Sequence, residues 1–102
     1  MKLTDLSPRW IYKNKMFAFI CPHCRKKWLT CKRVPMDHRQ QWDIFEKEFG
    51  DTRIVGCKPD VAWKFTNFDF ETMSIAPSLD ASASGHWHGH ITKGMIVGGV
   101  QA

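Results

Sequence analysis

The chain is 102 residues long, the size of one domain, and leaves no room for two. With 43% hydrophobic and 25% charged residues it is not a disordered chain, and 13% aromatics, including five Trp and seven Phe, predict a core built on large rings. The formal net charge of +5 is uneven, since residues 1–50 contribute +6 and residues 51–102 contribute −1.

The first ten residues, MKLTDLSPRW, hold no apolar stretch resembling a secretion signal. No later apolar run approaches the ~18 residues that cross a bilayer. The expectation is a soluble protein of the cytoplasm with no membrane partner. Met16-Phe17-Ala18-Phe19-Ile20 is apolar enough for a buried strand, and Cys21-Pro22-His23-Cys24 then makes a tight turn. Residues 26–34 suit the return strand. The first element is therefore a hairpin with a CxxC knuckle at its tip.

A helix follows. Asp37 is its N-cap, with Gln40 three positions on in a capping-box pattern, and Gly50 ends it. Trp42, Phe45 and Phe49 recur at helical spacing and predict an aromatic core-facing stripe. Beyond Gly50 the period changes to two. Residues 61–65 and 68–72 alternate as half-buried strands do, and Ile75-Ala76-Pro77-Ser78-Leu79 reads as an edge or a turn. Residues 86–92 and 95–100 flank Lys93-Gly94, a two-residue hairpin turn. The sum is five to seven short strands and one helix: one α+β domain over 1–102, mainly antiparallel, with one amphipathic helix.

Chemistry starts from four cysteines, at 21, 24, 31 and 57. A reducing compartment favours metal ligation over disulfides. A CxxC turn aims two thiolates at one point, as tetrahedral zinc requires, but two further ligands are needed. One source is His86-Trp87-His88-Gly89-His90, where alternate side chains share a face and two histidines converge on a metal if the strand bends. The other is Cys31 with Cys57, of which Cys57 is the freer to reach a metal. The set favoured by the sequence is a structural zinc on Cys21, Cys24, His86 and His88, with Cys57 or His90 as the substitute for one of them.

The densest basic cluster is Arg25, Lys26, Lys27, Lys32 and Arg33, around Trp28. An aromatic inside a basic strip suits a phosphate backbone, and it equally suits a solvated face. Catalytic patterns are sparse. There is no HExxH, no nucleophile elbow and no phosphate-cradling glycine loop. The enzymatic alternative is a small metal-dependent hydrolase, with His86, His88 and His90 around an open zinc and Asp80 or Asp69 as base.

Several pieces together carry a resemblance: Phe17-Ala18-Phe19-Ile20-Cys21-Pro22-His23-Cys24, Trp63-Lys64-Phe65, Ile75-Ala76-Pro77-Ser78, and His88, Ile91 and Lys93-Gly94-Met95-Ile96. This pattern is similar to that of a family of small phage and prophage proteins of unknown function, often labelled ammonia monooxygenase. In that family a Cys-His pair stands where this chain has Trp87-His88, so His86 has to replace the missing Cys. The resemblance implies a phage origin and a zinc-knuckle β fold. The oxygenase label draws no support from residues that cannot span a membrane. The expected function is a phage-encoded zinc-binding protein that occupies a host protein or protein complex, including inhibition of a host defence. The second expectation is a nucleic-acid-binding zinc module using the basic cluster.

Overall fold

Both faces of the apolar segment Met16–Ile20 are covered, which is why it reads as an unbroken hydrophobic run rather than an alternating one. The computed structural model describes residues 1–50, 54–55, 62–76, 78–80 and 87–98. Its largest sheet has four strands in the order β1 (Arg9–Ile11), β2 (Met16–Ile20), β3 (Trp28–Lys32) and β4 (Ile54–Val55). The pairs β1/β2 and β2/β3 are antiparallel. β3 and β4 run parallel, joined through helix α1 (His38–Phe49), so the chain makes a crossover that the hairpin reading did not include.

On one face of this sheet Met16, Ala18 and Ile11 pack with Met36 and Phe45, and Trp28 and Phe49 close the layer. On the other, Phe17, Phe19, Leu29 and Cys31 join a larger core with Leu3, Leu6, Met73, Ile75, Leu79, Trp87 and Ile91. That second layer is built on a short 3-10 helix (Leu3–Leu6), the pair β5 (Lys64–Phe65) and β6 (Ile75–Ala76), and a three-stranded sheet, with Met73 and Trp87 on the segments that lead into these strands. The three-stranded sheet has the order β7 (Leu79–Asp80), β8 (His88–Thr92), β9 (Met95–Gly98). The architecture is α+β and mainly antiparallel, as expected, with nine short strands among the described residues rather than five to seven. Among the described residues no helix is long and apolar enough to cross a membrane.

The helix boundaries follow from its caps. Asp37 accepts from the Gln40 N–H at 2.7 Å, and Gly50, at φ 65°, donates to the Glu46 carbonyl at 2.8 Å. The inward row, however, is Gln41, Phe45 and Phe49, not Trp42, Phe45 and Phe49. Trp42 is 43% exposed, because once positions 41 and 45 face the sheet, position 42 lies on the flank of the helix. Gln41 is fully buried, and its side-chain amide donates to the Met36 carbonyl at 2.9 Å.

Residues 68–72 are a turn and not a strand. Asn67 accepts from the Asp69 N–H and Asp69 from the Glu71 N–H, at 2.8 and 2.9 Å, so side-chain acceptors capture donors that a ladder would need. The alternating Phe68 and Phe70 instead bracket Trp10, with ring centroids 5.7 and 5.0 Å from it. The Lys93-Gly94 turn is as expected: Thr92 pairs with Met95, and both turn residues have positive φ, 50° and 76°. Its far side is stitched to the start of the chain. Leu3 donates to the Gly94 carbonyl at 2.9 Å and Ile96 donates to the Met1 carbonyl at 2.8 Å.

Candidate metal centre

The β2/β3 ladder closes with Ile20 opposite Trp28, so residues 21–27 form the hairpin tip. The Cys21 N–H donates to the Lys27 carbonyl at 2.8 Å, which draws the two arms together. The Arg25 N–H then donates to the Cys21 carbonyl at 3.0 Å, folding the intervening residues into a turn. Arg25 itself takes φ 60°, a left-handed conformation that glycine adopts more cheaply. Its guanidinium offsets part of that cost, since Nε donates to the Pro22 carbonyl at 3.1 Å.

This turn brings two backbone donors onto one sulfur. The N–H groups of Lys26 and Lys27 both donate to Cys24 Sγ at 3.4 Å. Partial burial pushes the Cys24 thiol up, but the Lys26 and Lys27 amides, the Cys21 side chain and the residue's own N–H together outweigh it. The thiol is held below the ordinary cysteine value. Cys21 is fully buried in the larger core and Cys24 is half-buried, and both are free thiols. Two soft sulfur donors at a strand end, one of them already backed by amide dipoles, are two of the four ligands that a tetrahedral thiolate site would require.

The other expected ligands stand differently. His86 and Cys57 lie outside the described residues. His88 is described and is not gathered with the cysteine pair. Among the described residues no three His, Cys, Asp or Glu side chains group as metal ligands. The reason is strand alternation. Trp87 is buried against Phe19, in the core that holds Cys21 and Ile91, and Gly89 is buried on the same side of β8, which leaves half-buried His88 and exposed His90 on the outer face. Of the hydrolase residues, Asp69 is engaged in the Asn67–Glu71 turn.

The basic cluster divides. Arg25, Lys26, Lys27 and Arg33 are exposed, and Arg33 lies over the Phe68 ring at 4.8 Å. Lys32 is fully buried, with its ammonium 5.3 Å from the Trp63 ring, so it cannot meet a phosphate at the surface. Trp28 is half-buried on the helix side, 4.8 Å from Phe49 and 6.0 Å from Phe45, and serves the core in place of a stacking platform. The alternation of β3 puts neighbouring residues on opposite covered faces, which a count of charges along the sequence does not register. The residues that sequence reasoning missed are the amide donors of Lys26 and Lys27. Their only signal is their position two and three residues after the second cysteine of a CPxC turn.

Comparison with family models, with curated proteins and with solved structures finds no match to this chain.

Proposed function

We propose that this chain is a small zinc-stabilised binding module, encoded by a phage, that acts by occupying the surface of a host protein or protein complex. Inhibition of a host defence system is one form of that action. The observation that carries the zinc reading is the pair of amide donors on Cys24 Sγ, with Cys21 one turn away on the same strand end. Such donors stabilise a ligating thiolate and leave a non-ligating cysteine little reason to be held so. In this reading Cys21 and Cys24 supply two thiolates, and the remaining expected ligands, His86 and Cys57, lie outside the described residues.

A bound zinc would supply structural cross-linking here, tying the hairpin tip to distant segments of a chain whose apolar area is small. In this reading the exposed Arg25, Lys26 and Lys27 present a basic projection around that tip. The phage assignment rests on the resemblance of the CPxC strand and the Pro-Ser and His-Gly segments. Capture from host lysate with the intact protein, repeated with an Arg25→Ala/Lys26→Ala/Lys27→Ala variant, tests the reading. Specific retention of one protein or complex, lost in the variant, supports it, whereas identical profiles refute a role for the tip.

A second reading is favoured by the exposure of Arg25, Lys26, Lys27 and Arg33, which fits nucleic acid. Binding to DNA or RNA that weakens steeply and linearly in log salt selects this reading over the first. Binding indifferent to salt rejects it.

A further inference from the structure

The outer face of the C-terminal sheet carries a second arrangement that the hairpin tip does not use. His88 and His90 stand two apart on β8 and share the face opposite Gly89 and Ile91. Two residues so placed have Cβ atoms about 6.5–7 Å apart, a spacing from which two imidazoles can reach one metal ion. The strand beneath them is held firmly. β8 is the central strand, with Asp80 of β7 in register with His88 and Val97 of β9 in register with His90.

Gly89 fixes the strand further. A Cβ there would collide with the Val97 carbonyl oxygen and with the Trp87 ring. The backbone between the histidines is therefore pressed against both the neighbouring strand and a fully packed indole. Neither histidine supports the core, since His90 is exposed and His88 half-buried. The two side chains thus project from a rigid base with water available for the remaining coordination positions, which is the condition for preorganised metal capture.

We propose that His88 and His90 form a two-imidazole surface site for a borderline divalent transition ion, Zn²⁺, Ni²⁺ or Cu²⁺, separate from the Cys21/Cys24 centre. Neutral imidazole nitrogen suits these ions and not Mg²⁺ or Ca²⁺, which require oxygen donors. The site does not depend on the zinc reading of the hairpin tip, because it shares no residue with it.

The test uses untagged protein, Ni²⁺ as the probe, and amide NMR with titration calorimetry. Substoichiometric paramagnetic Ni²⁺ should broaden the amides of residues 88–92 and their β9 partners before any others. His90→Ala and His88→Gln should each weaken Ni²⁺ binding by about tenfold or more, while His38→Ala leaves it unchanged. Mg²⁺ should produce no effect. Broadening centred on residues 21–27, or equal affinity in the parent and His90→Ala, overturns the proposal. The first of these results would leave the thiolate reading of the tip standing, so the two fail separately.

Discussion

Gly94 is pressed against Glu71 so closely that any Cβ on it would fall inside the Glu71 carbonyl, while its own N–H donates to the Met73 carbonyl at 2.8 Å. It also sits at φ 76°, in a conformation that costs other residues roughly 1–2 kcal/mol. Gly94→Ala should therefore lose both terms and destabilise by at least about 2 kcal/mol. Gly50 has a similar φ of 65° but nothing within 4 Å of its would-be Cβ, so Gly50→Ala should cost only about 1 kcal/mol. Denaturant melts of the two variants check the difference; equal costs would show that the close approach to Glu71 is immaterial.

Phe45 and Trp42 make the second contrast. Phe45 is fully buried between the sheet and Phe49, whose ring centroid lies 4.3 Å away, and Phe45→Ala should cost about 3–5 kcal/mol. Trp42→Ala, on the exposed flank, should cost less than about 1 kcal/mol. Thermal unfolding of both measures it, and a Trp42 variant as damaged as the Phe45 variant would contradict the inward row described here.

How far the sequence reaches is visible in these two residues. Strand β2, both helix ends and the Lys93-Gly94 turn are local: capping side chains, glycine and a continuous apolar run specify them within a few residues. The rotation of α1 is not local. Helical spacing allowed a row through 42, 45 and 49 or through 41, 45 and 49, and the choice falls to which positions meet Trp28 and Met36. Lys32 was misread for the same reason, because only the covering of both sheet faces makes an inward lysine visible. At the candidate site, spacing makes legible both the Cys21/Cys24 turn and the shared face of His88 and His90 opposite Trp87 and Ile91, whereas the distance of that face from the hairpin tip depends on how the two sheets pack.

For the metal, protein purified without a tag should hold about one zinc per chain. Cys21→Ser should lose both the zinc and much of the melting temperature, whereas Cys31→Ser should keep its zinc even though it disturbs the same core. Elemental analysis read alongside the melt decides. A parent protein with no zinc and a melt indifferent to strong chelators would end the assignment.

Cys24 also sets a pH dependence. Its folded thiol titrates below the ordinary cysteine value, so in the window between the two the unfolded chain binds more protons. In metal-free protein that contribution is complete above the ordinary value and disappears as pH falls through the lowered one. Alkylation by iodoacetamide, followed by peptide mapping against pH, should show Cys24 reacting at lower pH than buried Cys21 or Cys31. Simultaneous modification of all three would mean that the amides of Lys26 and Lys27 do not hold the sulfur.

The seam between residues 1–3 and β9 has a consequence for how the protein is made. Leu3 and Leu6 are synthesised long before Trp87 and Ile91, with which they share their core, and Lys2 bridges to Met95. Until then these two leucines have Phe17, Phe19 and Leu29 of β2 and β3 as partners but lack the cover of Trp87 and Ile91. The nascent chain therefore carries an incompletely covered apolar segment at residues 3–6 until the β8/β9 hairpin arrives. Closing so long a loop adds only slowly to the entropy cost, so the delay is set by translation and not by the search. Stalling translation before residue 87 should leave a chain that chaperones bind through residues 3–6.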